Sequence, residues 1–235
     1  MKIFGKIMKY TAILLICLMC LIPFYVLLVL ALNSPQRVFY EGNIFVPDFC
    51  WQNFVDAWHK SRIGTAMVNS AIITAGTLLL TIVTGGLAGY AIARHNTRYN
   101  KFVFGLLLSS MMIPGIINTV PLYTLMRKLH AVNTLWGMVL VCSTLALPSA
   151  VFIYATFIKA LPKELDEAAR IDGASEYGTF FRIVLPLSKP ILATIALFTA
   201  VDYWNTYQQS VYFMSDSSKK TLQDYLYMLL SNNSN

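Results

Sequence analysis

The chain has 235 residues, of which 57% are hydrophobic and only 12% are charged. A soluble domain is typically about one quarter charged and less than half apolar, so this chain has too few charged residues to cover a surface that faces water. Its abundance of apolar residues also excludes intrinsic disorder. The composition therefore indicates a membrane protein. In a membrane protein, basic residues accumulate on the cytoplasmic side. The net charge of +7 therefore informs the orientation in the membrane and does not indicate nucleic-acid binding.

The first predicted element is an apolar run over residues 11–32, which is long enough to cross about 30 Å of hydrocarbon. The basic residues Lys2, Lys6 and Lys9 precede it. A cleaved signal peptide would have a shorter apolar region followed by a small-residue cleavage site, and neither feature occurs. We therefore expect an uncleaved first helix. An external loop over residues 33–66 follows, whose aromatic side chains either sit at the headgroup level or dock an external partner.

Four more spans are predicted, over residues 67–93, 102–123, 135–158 and 190–207. The second span contains glycines, which let helices approach closely in lipid. The third and fourth contain prolines, which kink a membrane helix where neighbouring helices supply hydrogen-bond partners. These features favour a bundle over isolated anchors. The predicted fold class is all-α, a polytopic transmembrane helical bundle with five spans.

The basic residues divide unequally between the two sides of such a bundle. Eleven of the 18 lie on the side that carries the amino terminus. Because the side with more Lys and Arg is usually cytoplasmic, we expect the amino terminus inside. With five spans, the carboxyl terminus would lie outside.

Between the fourth and fifth spans, residues 159–186 form the most informative segment. Pro162 suits the first turn of a helix, and the helix formers that follow lead to Gly173, a residue suited to a left-handed stop. Ser175 is placed to cap a second short helix, which Pro186 ends. The pattern predicts a helix–glycine–helix elbow on the cytoplasmic side.

Ala168 and Ala169 give the first helix of this elbow a face of small side chains. Such a face allows a helix backbone to lie deep in a groove of another protein, and Glu167 beside it offers a carboxylate to a basic partner group. A simple connecting loop needs none of these features and is usually short.

At this point the sequence resembles a known family. Glu167-Ala168-Ala169, then Gly173, then Ile183-x-Leu185-Pro186 match the EAA motif of binding-protein-dependent ABC importer permeases at every defined position. Further segments look like the MalG-type permeases of carbohydrate importers: Ile113-Pro114-Gly115, Pro121-Leu122-Tyr123, Asn133-Thr134-Leu135-Trp136-Gly137, Ile171-Asp172-Gly173-Ala174-Ser175 and Trp204-Asn205.

The resemblance implies a permease subunit in the bacterial plasma membrane, surrounded by lipid. A second permease subunit would complete the pathway, a cytoplasmic ABC ATPase dimer would drive it, and an external solute-binding protein would deliver a sugar. The residues that would couple to the ATPase are those of the motif: Glu167, Ala168, Ala169, Gly173, Ile183, Leu185 and Pro186. Because the chain has no Walker-type loop, ATP would be bound by the partner.

One departure from the family pattern concerns the last span. The resemblance implies six spans and a cytoplasmic carboxyl terminus, whereas residues 222–230 are too few and too polar to cross a membrane. The last span of the family is therefore expected to be missing. The chain would then be either truncated or an incomplete form that does not transport.

The carried solute is not predicted by this chain, since in the family the binding protein selects it first, and an importer of a different solute stays an alternative. Asp202, Trp204 and Asn205 are candidates for contact with the pathway or substrate. The aromatic and amide side chains of residues 203–209 either stack on and hydrogen-bond a sugar or form an aromatic belt beside an external loop.

Two other classes of membrane protein fit the sequence less well. A polytopic enzyme would need catalytic groups in or near the membrane, but His59, His95 and His130 fall in three different loops and no hydrolase or metalloprotease motif occurs. We therefore expect no enzymatic activity, no metal and no cofactor in this chain. An ion-coupled secondary transporter commonly has ionisable residues at the bilayer midplane, and here Asp202 is the one candidate.

Overall fold

The computed structural model describes residues 2–34 and 45–232. The described chain is helical and has no β-strand, which confirms the predicted all-α class. It divides into two units, one ending at Arg62 and the other beginning at Ile63. Part of the predicted external loop, with Arg37, Phe39 and Tyr40, lies outside the described residues, as does the end of the polar tail.

The first unit consists of α1 (Lys2–Leu32) and α2 (Gln52–Lys60). Along most of α1 the apolar side chains are exposed, as expected of a helix that faces lipid. The chain after α1 folds back onto its carboxyl end, where Cys50 N donates to Leu32 O at 2.8 Å and the Asn53 amide donates to Ala31 O at 2.9 Å. The described part of the predicted external loop is therefore anchored to the end of the first helix.

The second unit contains the remaining helices. The long ones are α3 (Ile63–Arg94) and α6 (Leu135–Ala160), joined by α4 (Arg98–Ser110), a 3₁₀ turn (Gly115–Asn118) and α5 (Thr119–Lys128). The chain continues through α7 (Glu164–Ile171), α8 (Glu176–Thr179), a π-helical turn (Phe180–Val184), α9 (Leu185–Leu187), α10 (Lys189–Trp204), α11 (Gln208–Phe213) and α12 (Leu222–Asn232).

The most extensive helix–helix contact joins α3 and α6. A Cβ atom built on Gly89 would lie 2.5 Å from Tyr154 Cβ and 3.1 Å from the backbone N of Ala155, so only glycine permits the two backbones to approach this closely. The glycines of the predicted second span therefore serve the close packing that the sequence indicated. Two buried apolar clusters lie along this seam, one containing Ile73, Met138, Val141 and Phe213 and the other containing Tyr90, Tyr154, Phe180 and Val184.

In the described part of the chain, three helices are long and apolar enough to cross a membrane by themselves: residues Lys6–Leu32 of α1, then α3 and α6. Two further candidates are bent pairs of shorter helices. Arg98–Ser110 and Gly115–Lys128 meet at 105°, and Glu176–Leu187 and Lys189–Trp204 meet at 80°. The five predicted spans are reached only if each bent pair is counted as one span, so the number five stays a prediction.

The predicted third span, residues 102–123, is not one continuous helix. α4 ends at Ser110, and Pro114 follows with an extended ψ of 128° before the 3₁₀ turn begins. Proline disfavours helical backbone in the residue before it and offers no N–H for the helical ladder. The kink predicted at this proline is therefore a complete break in the helix.

The predicted fifth span is also shorter than expected. α10 has 16 residues, which corresponds to about 24 Å at 1.5 Å per residue and falls short of the roughly 30 Å of hydrocarbon in a bilayer. Its amino-terminal neighbour α9 meets it at Ser188, whose hydroxyl donates to Val184 O at 2.7 Å. The segment therefore needs the preceding helices to complete a crossing.

Candidate functional site

The elbow predicted between the fourth and fifth spans is present. α7 ends with Asp172 as its C-cap, and Gly173 then adopts a positive φ of 78°, the left-handed conformation that glycine tolerates best. Ser175 is the N-cap of α8, and its Oγ accepts a hydrogen bond from Gly178 N at 3.1 Å. The predicted glycine stop and serine cap are therefore both confirmed, since each depends on local chemistry alone.

Two boundaries of the elbow differ from the prediction. α7 begins at Glu164, so Pro162 precedes the first turn instead of forming part of it. The second helix does not end at Pro186, because the π-helical turn Phe180–Val184 and the short α9 carry it on to Leu187. A π-helical turn shifts the hydrogen-bond register by one residue, so the side chains on either side of it face different neighbours.

Asp166 ties the elbow to the carboxyl end of α3. Tyr90 Oη donates to Asp166 Oδ1 at 2.8 Å. Arg94 Nη2 lies 2.7 Å from Asp166 Oδ2 in an ion pair that lacks hydrogen-bond alignment, and the side chains of Arg94 and Asp166 are only 8% and 13% exposed. Arg94 Nη1 also donates to Leu161 O at 3.1 Å. One carboxylate and one guanidinium therefore join α3, the end of α6 and α7.

A second, weaker contact lies on the surface of the elbow. Arg170 Nη2 pairs with Glu176 Oε1 at 2.9 Å, and His95 Nε2 lies 3.4 Å from Glu176 Oε2. The Arg170 and Glu176 side chains are 62% and 53% exposed, so water screens this pair strongly. It links α7 to α8 across the glycine turn without contributing much to stability.

The residues of the EAA motif divide between an exposed and a buried group. Glu167 and Ala168 are exposed, as is Ile171, at 87%. Ala169 is buried at 4% exposure. The expectation that both alanines form the face offered to a partner is therefore corrected: Ala168 is on the outer surface, whereas the Ala169 methyl group packs inside the chain itself.

The segment that follows Gly173 contains several buried or half-buried side chains. Phe180 and Val184 of the π-helical turn are buried, and the Phe180 ring lies 5.7 Å from the ring of Tyr90. Ile183 and Leu185 are half-buried, while Pro186 is exposed. Sequence reasoning missed Phe180, Tyr90, Arg94 and Asp166 as parts of this site. Asp166 lies in the acidic first turn of α7, but its partners on α3 are too distant in sequence to be recognised.

The three candidates for pathway contact do not converge. Asp202 is exposed, and among the described residues it has no hydrogen bond or ion pair. The Asn205 amide donates to Val201 O at 2.8 Å, and its Oδ1 accepts from Gln223 at 2.9 Å. Asn205 is therefore committed to ending α10 and holding α12. Trp204 is half-buried beside them.

A cleft of about 500 Å³ opens instead where the break between α4 and the 3₁₀ turn faces α6. Aromatic, amide and hydroxyl groups share its wall with apolar side chains. The polar contributors are Ser110, Asn118, Thr144, Tyr203 and Gln209. Of the residues from 203 to 209 that the sequence singled out, Tyr203 and Gln209 lie in this cleft.

A buried polar network lies at the other end of α3, and we call it the polar latch: Asn69, Ser70, Ser210, Lys220, Thr221 and Asp224. The Asn69 amide donates to the carbonyls of Ser218 and Lys220 at 2.9 and 3.1 Å. Asp224, which is 3% exposed, accepts from Ser210 Oγ and from Lys220 Nζ, each at 2.8 Å. Lys220 precedes α12 and Asp224 lies in its first turn, so opposite charges four residues apart are the sequence signal that could have indicated this pair.

Comparison with known proteins adds the following. Residues 81–217 match the family model of the binding-protein-dependent transport system inner membrane component. The chain is 42% identical over 202 residues to the melibiose/raffinose/stachyose import permease protein MelC of Bacillus subtilis, covering 86% of this chain and 73% of MelC. It is 37% identical over 163 residues to the arabinooligosaccharides transport system permease protein AraQ of Halalkalibacterium halodurans, covering 69% of this chain and 58% of AraQ.

The fold is also found in a solved structure. A chain in the crystal structure of a bacterial ABC transporter involved in the import of the acidic polysaccharide alginate superposes with a TM-score of 0.83. The match covers 98% of this chain and 81% of that chain, at 21% identity. It shows that the two chains share a fold.

Proposed function

The chain belongs to the family of binding-protein-dependent transport system inner membrane components, and we propose that it is the permease subunit of an ATP-driven importer of a sugar or oligosaccharide. The relatives named above are permeases for oligosaccharides, which supports this class of solute. The observation that carries the proposal is the elbow, where an exposed surface is fixed by Asp166 to the end of a long apolar helix.

A binding-protein-dependent importer works with a solute-binding protein and a source of ATP hydrolysis. In our proposal the ATPase is a cytoplasmic dimer that binds the elbow, and a second permease subunit forms the pathway together with this chain. The amino terminus is cytoplasmic, residues 159–186 are the coupling loop and residues 33–66 face outside. The chain itself carries out no chemical reaction.

The surface offered to the ATPase consists of Glu167, Ala168 and Ile171. An isoleucine that is 87% exposed at the end of a short helix leaves apolar area in water, and covering it favours association. Ala168 beside it allows a close approach of the two backbones. The Glu167 carboxylate then pairs with a basic group in the ATPase cleft, where partial desolvation strengthens it beyond a surface pair.

Motion of the elbow reaches the membrane helices along two routes. The Asp166 contacts with Tyr90 and Arg94 connect α7 to the end of α3. The buried Phe180 and Val184 connect the π-helical turn to the same helix and lead directly into α9 and α10. The buried contacts of the elbow lie on the side away from the docking surface. The elbow can therefore bind a partner and keep these contacts, so that it moves together with the ends of the membrane helices.

The cleft of about 500 Å³ near Tyr203 and Gln209 is the proposed contribution of this chain to the pathway. An aromatic ring presents a flat apolar face to a sugar ring, while amide and hydroxyl groups replace the hydrogen bonds of its hydroxyls. Asp202, Trp204 and Asn205 lie next to this cleft in sequence. Asn205 also accepts a hydrogen bond from Gln223 of α12.

The proposal is tested with the complete transporter in proteoliposomes, by measuring ATP-dependent uptake of radiolabelled raffinose delivered by its binding protein. Ala168→Trp introduces a large side chain at the docking surface, where overpacking costs about 1–3 kcal/mol. We expect uptake and ATPase co-purification to fall about tenfold or more. The matched control is Ala57→Trp on α2, an exposed alanine in the other unit, which is expected to change uptake less than about twofold. Equal uptake by the two variants would refute elbow docking.

A further inference from the structure

A second cavity, of about 320 Å³, lies beside the elbow, where the carboxyl ends of α3 and α6 meet the amino end of α4. Three lysines from three different segments line it. They are Lys101 of α4, Lys159 of α6 and Lys163, which precedes α7. The elbow anchor does not involve these three side chains, so the cavity needs an explanation of its own.

The positive charges of the three lysines are not paired with carboxylates of the described residues. Among the residues that the structure describes, no Asp or Glu lines the cavity. Arg94, which also borders the cavity, is paired with Asp166, and the nearby Glu176 is taken by Arg170 and His95. The three lysines have no ion pair with any described residue. The site therefore carries an excess of positive charge suited to an anion.

One wall of the same cavity is apolar. Lys159 Nζ lies 4.9 Å from the centre of the Phe104 ring, and that ring is stacked on Phe152 with centroids 6.5 Å apart. Phe152 lies two helical turns before Lys159, or about 10 Å along α6, and it is 44% exposed. An apolar path therefore runs from the lysines along α4 and α6, toward the middle of the apolar helices.

From this combination we propose that the cavity is a binding site for an anionic phospholipid. The headgroup phosphate lies among Lys101, Lys159 and Lys163, and one acyl chain follows Phe104 and Phe152. Basic pockets between membrane helices, at the level where the helices leave the hydrocarbon, bind anionic headgroups in this way. A free phosphate would use the lysines but gain nothing from the aromatic wall. A zwitterionic lipid would bring an ammonium group close to three cations.

The site does not depend on the identity of the transported solute. A lipid held there would bridge α3, α4 and α6 directly beside Asp166 and Arg94, and would neutralise the charge that otherwise repels these helix ends. It would thereby stabilise the base on which the elbow rests. This role follows from the three lysines together with the apolar wall of Phe104 and Phe152, and it stands even if the elbow binds a different partner.

The experiment uses native mass spectrometry of the full-length purified chain in detergent, titrated with phosphatidylglycerol or with phosphatidylcholine of the same acyl chains. The test variant is Lys101→Gln/Lys159→Gln/Lys163→Gln. The control, Lys6→Gln/Lys9→Gln/Lys189→Gln, removes the same charge at residues outside the cavity. Each cavity lysine is expected to contribute about a fivefold increase in affinity for the anionic lipid. The test variant should therefore lose phosphatidylglycerol binding and the control should keep it.

A second pair of variants separates a lipid from a free anion. Phe104→Leu alters the apolar wall, and Phe102→Leu alters a ring that is 64% exposed on the same helix outside the cavity. Phe104→Leu is expected to weaken phosphatidylglycerol binding, while Phe102→Leu is not. Equal phosphatidylglycerol binding by the two lysine variants would overturn the site. Displacement of the lipid by millimolar inorganic phosphate, with no effect of Phe104→Leu, would overturn the lipid assignment in favour of a simple anion site.

Discussion

The two ends of α3 are held by different kinds of contact. At the amino end, the polar latch joins α3 to α11, α12 and the loop between them, and nearly all of its members are buried. At the carboxyl end, the elbow is held by the largely buried ion pair of Asp166 with Arg94, by the apolar packing of Phe180 and Val184, and by a surface contact between Arg170, Glu176 and His95. The two ends belong to one helix but differ in how many buried polar contacts must break before that end of the helix can move.

This difference indicates where the molecule is able to change shape. Each hydrogen bond in the polar latch is supported by others, so opening it would expose several buried polar groups at once, each at a cost of about 1–3 kcal/mol. At the elbow the polar contacts are fewer, namely those of Asp166 and a screened surface ion pair, beside the apolar packing of Phe180 and Val184. In our proposal, the ATPase that binds the elbow therefore acts on the end of α3 that has fewer buried polar contacts, while the latch keeps the opposite end in place.

The largest effect is expected from breaking the latch itself. Asp224→Ala removes the carboxylate that both Lys220 and Ser210 contact, and it leaves a largely buried ammonium group without a partner. Removal of one member of a buried pair typically destabilises a protein by about 3–5 kcal/mol. We expect a large fall in melting temperature, measured by fluorescence-detected size-exclusion chromatography after heating. Asp202→Ala is the control, because Asp202 is exposed. An equal fall in melting temperature for both variants would contradict a stabilising role of the polar latch.

A smaller effect on stability, with a larger effect on transport, is expected at the elbow anchor. Tyr90→Phe removes the 2.8 Å hydrogen bond to Asp166, and a bond to a charged acceptor contributes about 1.5–3 kcal/mol. Uptake should fall severalfold while the ATPase still co-purifies, because the docking surface is intact. Tyr177→Phe is the control, since that ring is 69% exposed on α8. If Tyr90→Phe transports normally, force does not pass through Asp166.

The third prediction concerns Gly173, whose backbone conformation sets the shape of the elbow. A Cβ on Gly173 would meet no atom within 4 Å, so a substitution there acts only through the positive φ. Valine in that conformation costs about 1–2 kcal/mol, whereas asparagine adopts it more readily. Gly173→Val is therefore expected to reduce ATPase co-purification and uptake more than Gly173→Asn. Identical behaviour of the two variants would mean that the shape of the turn does not control docking.

The smallest effect is expected from the exposed pair. Arg170→Gln breaks the contact with Glu176, and exposed ion pairs contribute about 0–1 kcal/mol. Melting temperature and uptake should both stay close to those of the unmodified protein in 0.15 M salt. A loss of uptake comparable to that of Tyr90→Phe would contradict the view that Asp166 is the principal anchor.

The features that the sequence predicted correctly are those decided within a few residues. Gly173 and Ser175 end and begin helices through their own backbone and side-chain chemistry, and the long apolar runs form helices for the same local reason. The resemblance to importer permeases, carried by the EAA motif, is confirmed by the family match.

The remaining features depend on contacts between distant residues. Ala168 and Ala169 are neighbours in sequence, and only the packing of α7 against the rest of the chain decides which one is buried. Asp166 and Tyr90 are 76 residues apart, so no local pattern joins them. The break at Pro114 was predicted as a kink, but its size depends on the helices that receive the two halves. The hydrogen bond from Gln223 of α12 to Asn205 joins residues 18 positions apart, so the sequence does not indicate it, and a role of Asn205 in the pathway stays a prediction.

The central claim is that the elbow is the surface on which the ATPase docks, and adjacent alanines provide its most direct test. The four native cysteines, Cys17, Cys20, Cys50 and Cys142, are first replaced by serine or alanine. Single cysteines are then placed at Ala168, which is exposed, at Ala169, which is 4% exposed, and at Ala57 on α2.

Each variant is labelled with a maleimide in detergent, with and without the ATPase subunits. Detergent gives the reagent access to both sides of the protein. The account predicts that the cysteine at 168 is labelled alone and protected by the ATPase, that the one at 169 is labelled poorly in both states, and that the one at 57 is labelled in both. Labelling at 168 that is unchanged by bound ATPase would contradict the claim.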